Sequence, residues 1–249
     1  MGPGGVENRL WSSAERPLAW ILALLLMLAG RSVFGFELQA VPLSSAPVID
    51  GVVDEALWSE AAVVDGLTQI RPDFGEPSPF PTTVKVGVTE RALFFAFILT
   101  DPEPRRIAAA VTTRDGDLDD DDSVGVLLDT FDDDRTGYFF RTNLLGTQQD
   151  GRIADNGRTV DTRWDAAWRC AASRTPEGWT AQVDIPHEVP RYRAGRDRVW
   201  GLYFTRTVPR RLETSVWAGP GETEWRVAQF GTLVGLALPL RETKLLDVI

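Results

Sequence analysis

The chain has 249 residues, 36 acids against 26 Lys and Arg, and a formal net charge of −10, which is length enough for one large all-β domain or two small domains. That balance argues against nucleic acid or an anionic membrane surface as partner, because both need clustered Lys and Arg to meet phosphate. Basic pairs such as Arg105-Arg106 and Arg210-Arg211 are too scattered to form such a patch.

In chain order, Arg9 and Arg16 precede the apolar run AWILALLLMLAG, and the small residues Ser32 and Gly35 follow it. A membrane span needs about 18 to 20 apolar residues, so residues 1–35 read as a secretory signal peptide cleaved near Gly35 in preference to a retained anchor. The expected protein is exported: periplasmic, outer-membrane associated or extracellular. Asp54 is placed to cap a short helical turn in DEALWSEAA (54–62). The runs VKVGV (84–88) and ALFFAFILT (92–100) flank Thr89-Glu90-Arg91 and predict a β-hairpin. Further strands are expected at 123–130, 137–145, 167–173, 178–185, 199–208, 214–218 and 229–238. Between them DDDRTG, RTPEG and GPGE supply turn chemistry. Short strands with almost no helical periodicity predict one antiparallel β-sandwich domain over 37–240, jelly-roll or immunoglobulin-like, with 241–249 as a tail.

Most familiar catalytic devices are missing. His187 is the single histidine and is expected on a solvated loop; Cys170, the single cysteine, reads as a buried strand residue with no disulfide partner. No G-x-S-x-G elbow, Walker loop or G-x-G-x-x-G follows a strand. Residues 115–134, DGDLDDDDSVGVLLDTFDDD, hold ten aspartates and no base. Asp115, Asp117 and Asp119 fit the start of an EF-hand loop, but Asp120 stands where its Gly is required and Val126 where its Glu is required. A glycosidase pair has no specific signal here, since abundant Asp makes some pair inevitable. Two readings remain open: crowded carboxylates relieved by calcium, or Asp119 to Asp122 as an exposed loop leading into a strand.

The stretch APVIDGVVDEALW (46–58) resembles the opening of carbohydrate-binding module family 9 domains. The likeness continues in order through FFAFILTDPEP, DDDSVGVLLDT, TGYFFRTNLLGTQQDG, GWTAQVDIP and WRVAQFGTLVGL, covering roughly 37–238. WDAAW, VWGLYFTRTVPRRLE and FGTLVGL are similar to the branch that precedes bacterial outer-membrane β-barrel domains, and a barrel would begin where this chain stops. The resemblance implies a non-catalytic sandwich that binds a sugar or oligosaccharide in carbohydrate catabolism, with calcium as a structural aid. By position, Trp225 matches one of two sugar-stacking tryptophans, and Arg141 and Asn143 match polar sugar contacts. The second tryptophan is replaced by Asp119 and a sugar-binding Glu by Gly125, so Trp217, Trp164 or Trp168 would have to substitute. Most of the nine tryptophans are expected in the core or the leader. Asp50, Asp54 and Asp122 are the candidate calcium residues, with an Asx-turn at Asp50 and a helix cap at Asp54 as the other reading of those two.

The alternative is a periplasmic scaffold or docking sandwich for a membrane barrel, its sugar site lost. Related DOMON-like sandwiches bind haem, commonly through methionine, but Met1 and Met27 both lie in the leader. With that ligand supply, purified mature protein is expected to show no Soret absorption; a Soret band would restore the haem reading.

Overall fold

The structure is a computed structural model that describes Met1 and residues 35–53, 55–192 and 199–236. Almost all of the expected leader, the expected tail and Asp54 lie outside the described residues. Among them no helix is long and apolar enough to cross a membrane.

Fourteen strands are described: β1 (Glu37–Gln39), β2 (Ala62–Asp65), β3 (Thr68–Arg71), β4 (Thr82–Val88), β5 (Ala92–Thr100), β6 (Ser123–Asp129), β7 (Gly137–Asn143), β8 (Gln148–Ala154), β9 (Thr159–Asp161), β10 (Arg169–Thr175), β11 (Gly178–Pro186), β12 (Trp200–Val208), β13 (Glu213–Trp217) and β14 (Gly231–Val234). A short α-helical turn, α1, spans Glu55–Trp58. The expected hairpin forms between β4 and β5, and its turn is tied by Thr89, whose Oγ1 accepts the Arg91 and Ala92 amides at 3.3 Å.

Two sheets result. A nine-stranded sheet runs β1-β14-β12-β6-β7-β8-β9, with β13 sharing the far half of β12 and carrying β3 on its other edge. A five-stranded sheet runs β10-β11-β5-β4-β2. Every pairing between strands is antiparallel except β1 with β14.

The two-residue period of a strand sends alternate side chains to opposite faces. Val124, Val126 and Leu128 of β6, Tyr138 and Phe140 of β7, and Leu202 and Phe204 of β12 face the five-stranded sheet. There they pack with Phe95 and Phe97 of β5 and Val183 of β11. Phe204 meets the edges of Phe95 and Phe97 at 5.8 Å, a favourable arrangement for aromatic quadrupoles. The opposite parity, Leu127, Phe139, Ile153, Tyr203 and Val216, forms a smaller cluster on the outer face of the nine-stranded sheet. Phe230 covers that cluster, stacked on Tyr203 at 4.9 Å. Trp58 of α1 caps a third cluster, on Phe94 and Ala96 outside the five-stranded sheet.

The acidic run divides in a way its charge alone does not show. Asp119 and Asp120 are exposed, but Asp121 and Asp122 are 2% and 1% exposed, which corrects the expectation of a solvated loop over all four. The reason is backbone satisfaction, since a buried carboxylate is tolerable when N–H groups point at it. Asp121 accepts the amides of Ala110 and Val111 at 2.8 and 3.0 Å and the Asn143 side-chain amide at 2.8 Å. Asp122 accepts the Ala108 amide at 2.8 Å and faces Arg210. Farther along, Asp129 gathers the amides of Phe131, Asp133 and Asp134 at 2.9 to 3.0 Å. Burial, partly offset by these donors, pushes the Asp122 and Asp129 carboxyls above the usual range.

Arg206 ties the sheets together where β4 begins and β5 ends. Its guanidinium donates to the carbonyls of Phe80, Pro81 and Thr100 and to Thr82 Oγ1, at 2.9 to 3.1 Å. Burial pulls it down to about 10, so it stays charged at neutral pH.

Asp121→Ala strands two backbone donors and the Asn143 amide in a buried place, and is expected to cost about 3 kcal/mol or more. Asp120→Ala, four-square in solvent, is expected to stay within about 0.5 kcal/mol. Urea unfolding followed by tryptophan fluorescence measures both; equal effects would contradict the division of the acidic run.

Candidate functional site on the outer face of the larger sheet

Gly125 of β6 lies between Thr205 of β12 and Arg141 of β7. A Cβ at Gly125 would stand 2.6 Å from Thr205 Oγ1 and 3.0 Å from Arg141 Cγ. The bare backbone therefore gives room for the stem of Arg141 to lie against it. A glutamate at this position would have to displace that stem, so Gly125 and Arg141 are one arrangement rather than a loss beside a retained contact.

Arg141 is 7% exposed. Its Nη1 donates to Asp119 Oδ1 and to Gln149 Oε1, both at 3.0 Å, and Nη2 donates to Ser123 Oγ at 3.4 Å. The guanidinium also sits 5.8 Å from the centre of the Trp225 ring, within cation–π reach. Asp119 is 72% exposed at its side chain. With its carboxylate mostly in water, this ion pair orients Arg141 more than it stabilises the fold.

Trp225 is partly exposed and presents its ring edge-on to Phe139 at 5.1 Å. Its backbone is fixed by the loop after β8: Gly157 has φ of +87°, and a Cβ there would come within 2.5 Å of the Trp225 carbonyl. Only glycine suits that close approach. Thus Phe139 holds the ring and Gly157 holds the chain that carries it.

Beside this group opens a cleft of about 360 Å³, lined by Arg71, Asp119, Asp120, Thr207, Pro209, Leu212, Glu213, Thr214 and Glu224. Arg71 Nη2 donates to Thr214 Oγ1 at 3.0 Å and reaches Glu224 at 3.5 Å. Glu213 is 2% exposed and accepts from the hydroxyls of Ser78 and Ser215 at 2.5 and 2.6 Å. Leu212, in the left-handed region with φ of 53°, is 80% exposed at the rim. Guanidinium donors, carboxylate acceptors and one apolar edge are the groups a polyhydroxylated ligand needs.

Of the residues expected in a site, Trp225 and Arg141 come together and the others do not. Asn143 is wholly buried and its amide is saturated. It donates to the Val111 carbonyl and Asp121, both at 2.8 Å, and accepts the amides of Leu145 and Thr147 at 3.0 Å, leaving no hydrogen-bonding capacity for a ligand. Trp217 pairs with Phe204, on the inter-sheet side, where it packs against Phe204 and Phe36. Strand parity removes it from the face of Trp225. Trp164 and Trp168 also pack toward the inter-sheet core, against Phe140, and Trp168 Nε1 donates to Asp150 at 2.9 Å.

Of the calcium candidates, Asp50 and Asp122 have separate surroundings. Asp50 Oδ1 accepts the Val52 amide at 2.9 Å, an Asx-turn, and Asp122 faces the cation Arg210. A guanidinium in that place leaves no fit for a metal cation at Asp122. Among the described residues no three His, Cys, Asp or Glu side chains gather to hold an ion; Asp54 is outside them. His187 is 3% exposed with Nε2 2.9 Å from the Thr89 carbonyl, a correction to the expected solvated position. Cys170 lies on β10 as expected but is only partly buried, with burial pushing its thiol up.

The residues that sequence reasoning missed are Arg71, Gln149 and Glu224. Gln149 was accessible in principle: extending the strand GYFFRTN through the turn Leu144–Thr147 into QQDG pairs Gln149 with Arg141. Arg71 and Glu224 arrive from β3 and from a loop, and only the tertiary fold joins them.

No protein-family model matches the chain, and no curated protein matches it significantly by sequence. Solved structures are similar in fold. A candidate carbohydrate-binding protein from Bacteroides uniformis aligns with a TM-score of 0.64 at 15% identity, over 80% of this chain and 99% of that one. A carbohydrate-binding module of family 9 from Caldicellulosiruptor kristjanssonii, solved with glucose, aligns at 0.55 and 16% identity, over 83% and 97% of the two chains. The structure of a family 9 module from the same organism with cellotriose aligns at 0.54 and 16%, over 86% and 98%. At these identities the likeness shows the fold, and that fold is the β-sandwich of the family 9 carbohydrate-binding modules.

Proposed function

We propose that the domain is a non-catalytic saccharide-binding module, and that the cleft beside Trp225 and Arg141 receives the sugar. The observation that carries this reading is the meeting of one partly exposed indole with an oriented guanidinium–carboxylate pair on the solvent face of this fold. An indole accepts the C–H face of a pyranose, while Arg71, Asp119 and Glu224 offer donors and acceptors to its hydroxyls. The neighbours solved with glucose and cellotriose support the ligand class. With one tryptophan in place of two, the grip on a single ring is expected to be weak. Export through the amino-terminal leader belongs to the same proposal.

A second reading, a docking sandwich whose sugar site has been lost, is favoured by one observation. Arg141 is already engaged by Asp119, Gln149 and Ser123, so a sugar would have to compete with these partners.

Tryptophan fluorescence of the purified protein, titrated with glucose and with cello- and xylo-oligosaccharides, decides between them. The saccharide reading predicts a saturable change, and a loss of at least about tenfold in affinity for Trp225→Ala, or about 1.4 kcal/mol. No response to any sugar from a folded protein would favour the docking reading.

A further inference from the structure

The loop that carries Trp225 lines a second, larger cleft on its other side. This space, about 600 Å³, is bounded by Asp134 and Arg135 after β6, by Asp155 to Arg158 after β8, and by Glu222, Thr223 and Arg226. Glu224 lines the first cleft while Thr223 and Arg226 line the second, so the segment that carries Trp225 borders both, although the indole itself lines neither.

Three features show that the second cleft is a built surface. Of the six non-glycine residues with left-handed backbone among the described residues, Asp134, Asp155 and Asn156 all line it. Such conformations persist where the surrounding structure holds them, and they cluster at ligand sites. The surrounding structure is identifiable: the Asn156 amide donates to the Arg135 carbonyl at 2.9 Å, and Asn156 Oδ1 accepts the Ala228 amide at 2.9 Å. Gly157, pressed on the Trp225 carbonyl, couples this floor to the indole.

The polar groups in the cleft are only partly spent. Arg135 meets Asp155 at 3.4 Å and Arg226 meets Glu222 at 2.5 Å, with both carboxylates largely in solvent. The Arg158 guanidinium and the Asp134 carboxylate make no side-chain hydrogen bond or ion pair with the described residues, though both line the same space. An uncommitted fork of donors and an uncommitted acceptor lining one cleft, without net charge between them, match the alternating donors and acceptors of vicinal hydroxyls better than they match an anion or a cation.

We propose that this cleft is a further subsite for neutral sugar residues, so that one oligosaccharide chain passes over the loop of Trp225 and contacts both sides. The inference rests on the saccharide reading and adds the ligand's class: a neutral chain of several rings rather than a single sugar. Two weak subsites joined by one ligand raise affinity through effective concentration without any new contact at either.

The test is calorimetric titration of the whole protein with glucose, cellobiose, cellotetraose and cellohexaose, and with xylohexaose. Affinity is expected to rise by at least about tenfold from the dimer to the hexamer of the preferred series. Arg158→Ala and Asp134→Asn are expected to remove that rise, so that the hexamer binds each variant no more tightly than the dimer binds the wild type. Equal affinity at all lengths, or a length dependence untouched by both variants, would overturn the second subsite while leaving the saccharide reading standing. Absence of binding by every sugar to the folded protein would overturn both.

Discussion

Each residue of the nine-stranded sheet faces either the second sheet or the outside, and this two-way division is the constraint on which the site depends. Along β7 it sends Tyr138 and Phe140 into the sandwich and Phe139, Arg141 and Asn143 outward. The same parity on β13 takes Trp217 inward. Aromatic residues that look equivalent in the sequence therefore have opposite fates. Among the described tryptophans, Trp225 alone packs with the outer cluster, and it reaches that face from a loop rather than from a strand.

The acidic run serves this geometry mainly through the backbone. Asp121 holds the segment 110–111 and Asn143, and Asp129 closes the turn that leads into β7. Both ends of the β6–β7 pair are thereby anchored, and Arg141 sits between those anchors. Carboxylates in such places satisfy amides that would otherwise be stranded away from water. Of the ten aspartates only Asp119 and Asp120 reach the first cleft and Asp134 the second; most of the others are spent on the backbone or lie away from both.

The longer hydrophobic strands and the hairpin at 89–91 were legible because period-two hydrophobicity and turn residues are local signals, whereas the polar β8 (Gln148–Ala154) and the order of strands in the sheets were not. Short edge strands such as β1, β3 and β9 were not, since three or four residues carry too little pattern to register. Trp225 and Arg141 could be named as candidates from their position in ordered motifs, and the fold brings them within 5.8 Å of each other. Their relation to Asp119 was not legible, for it depends on Gly125 leaving space across the β6–β7 pair. Asn143 misled because an amide in a strand gives no sign of whether its four bonds go to a ligand or to its own chain. His187 misled for a similar reason: proline neighbours suggested a solvated loop, whereas the loop folds back on the β4–β5 turn.

On the saccharide reading proposed above, the outer face at Trp225 meets the ligand and the inward-facing tryptophans do not. Indole N–H resonances of the nitrogen-15-labelled protein, assigned by single tryptophan replacement and followed during titration with cellohexaose, test it most directly. A saturable shift is expected at Trp225, with Trp217, Trp164 and Trp168 nearly unmoved. A shift centred on Trp217 or Trp164, with Trp225 silent, would contradict it.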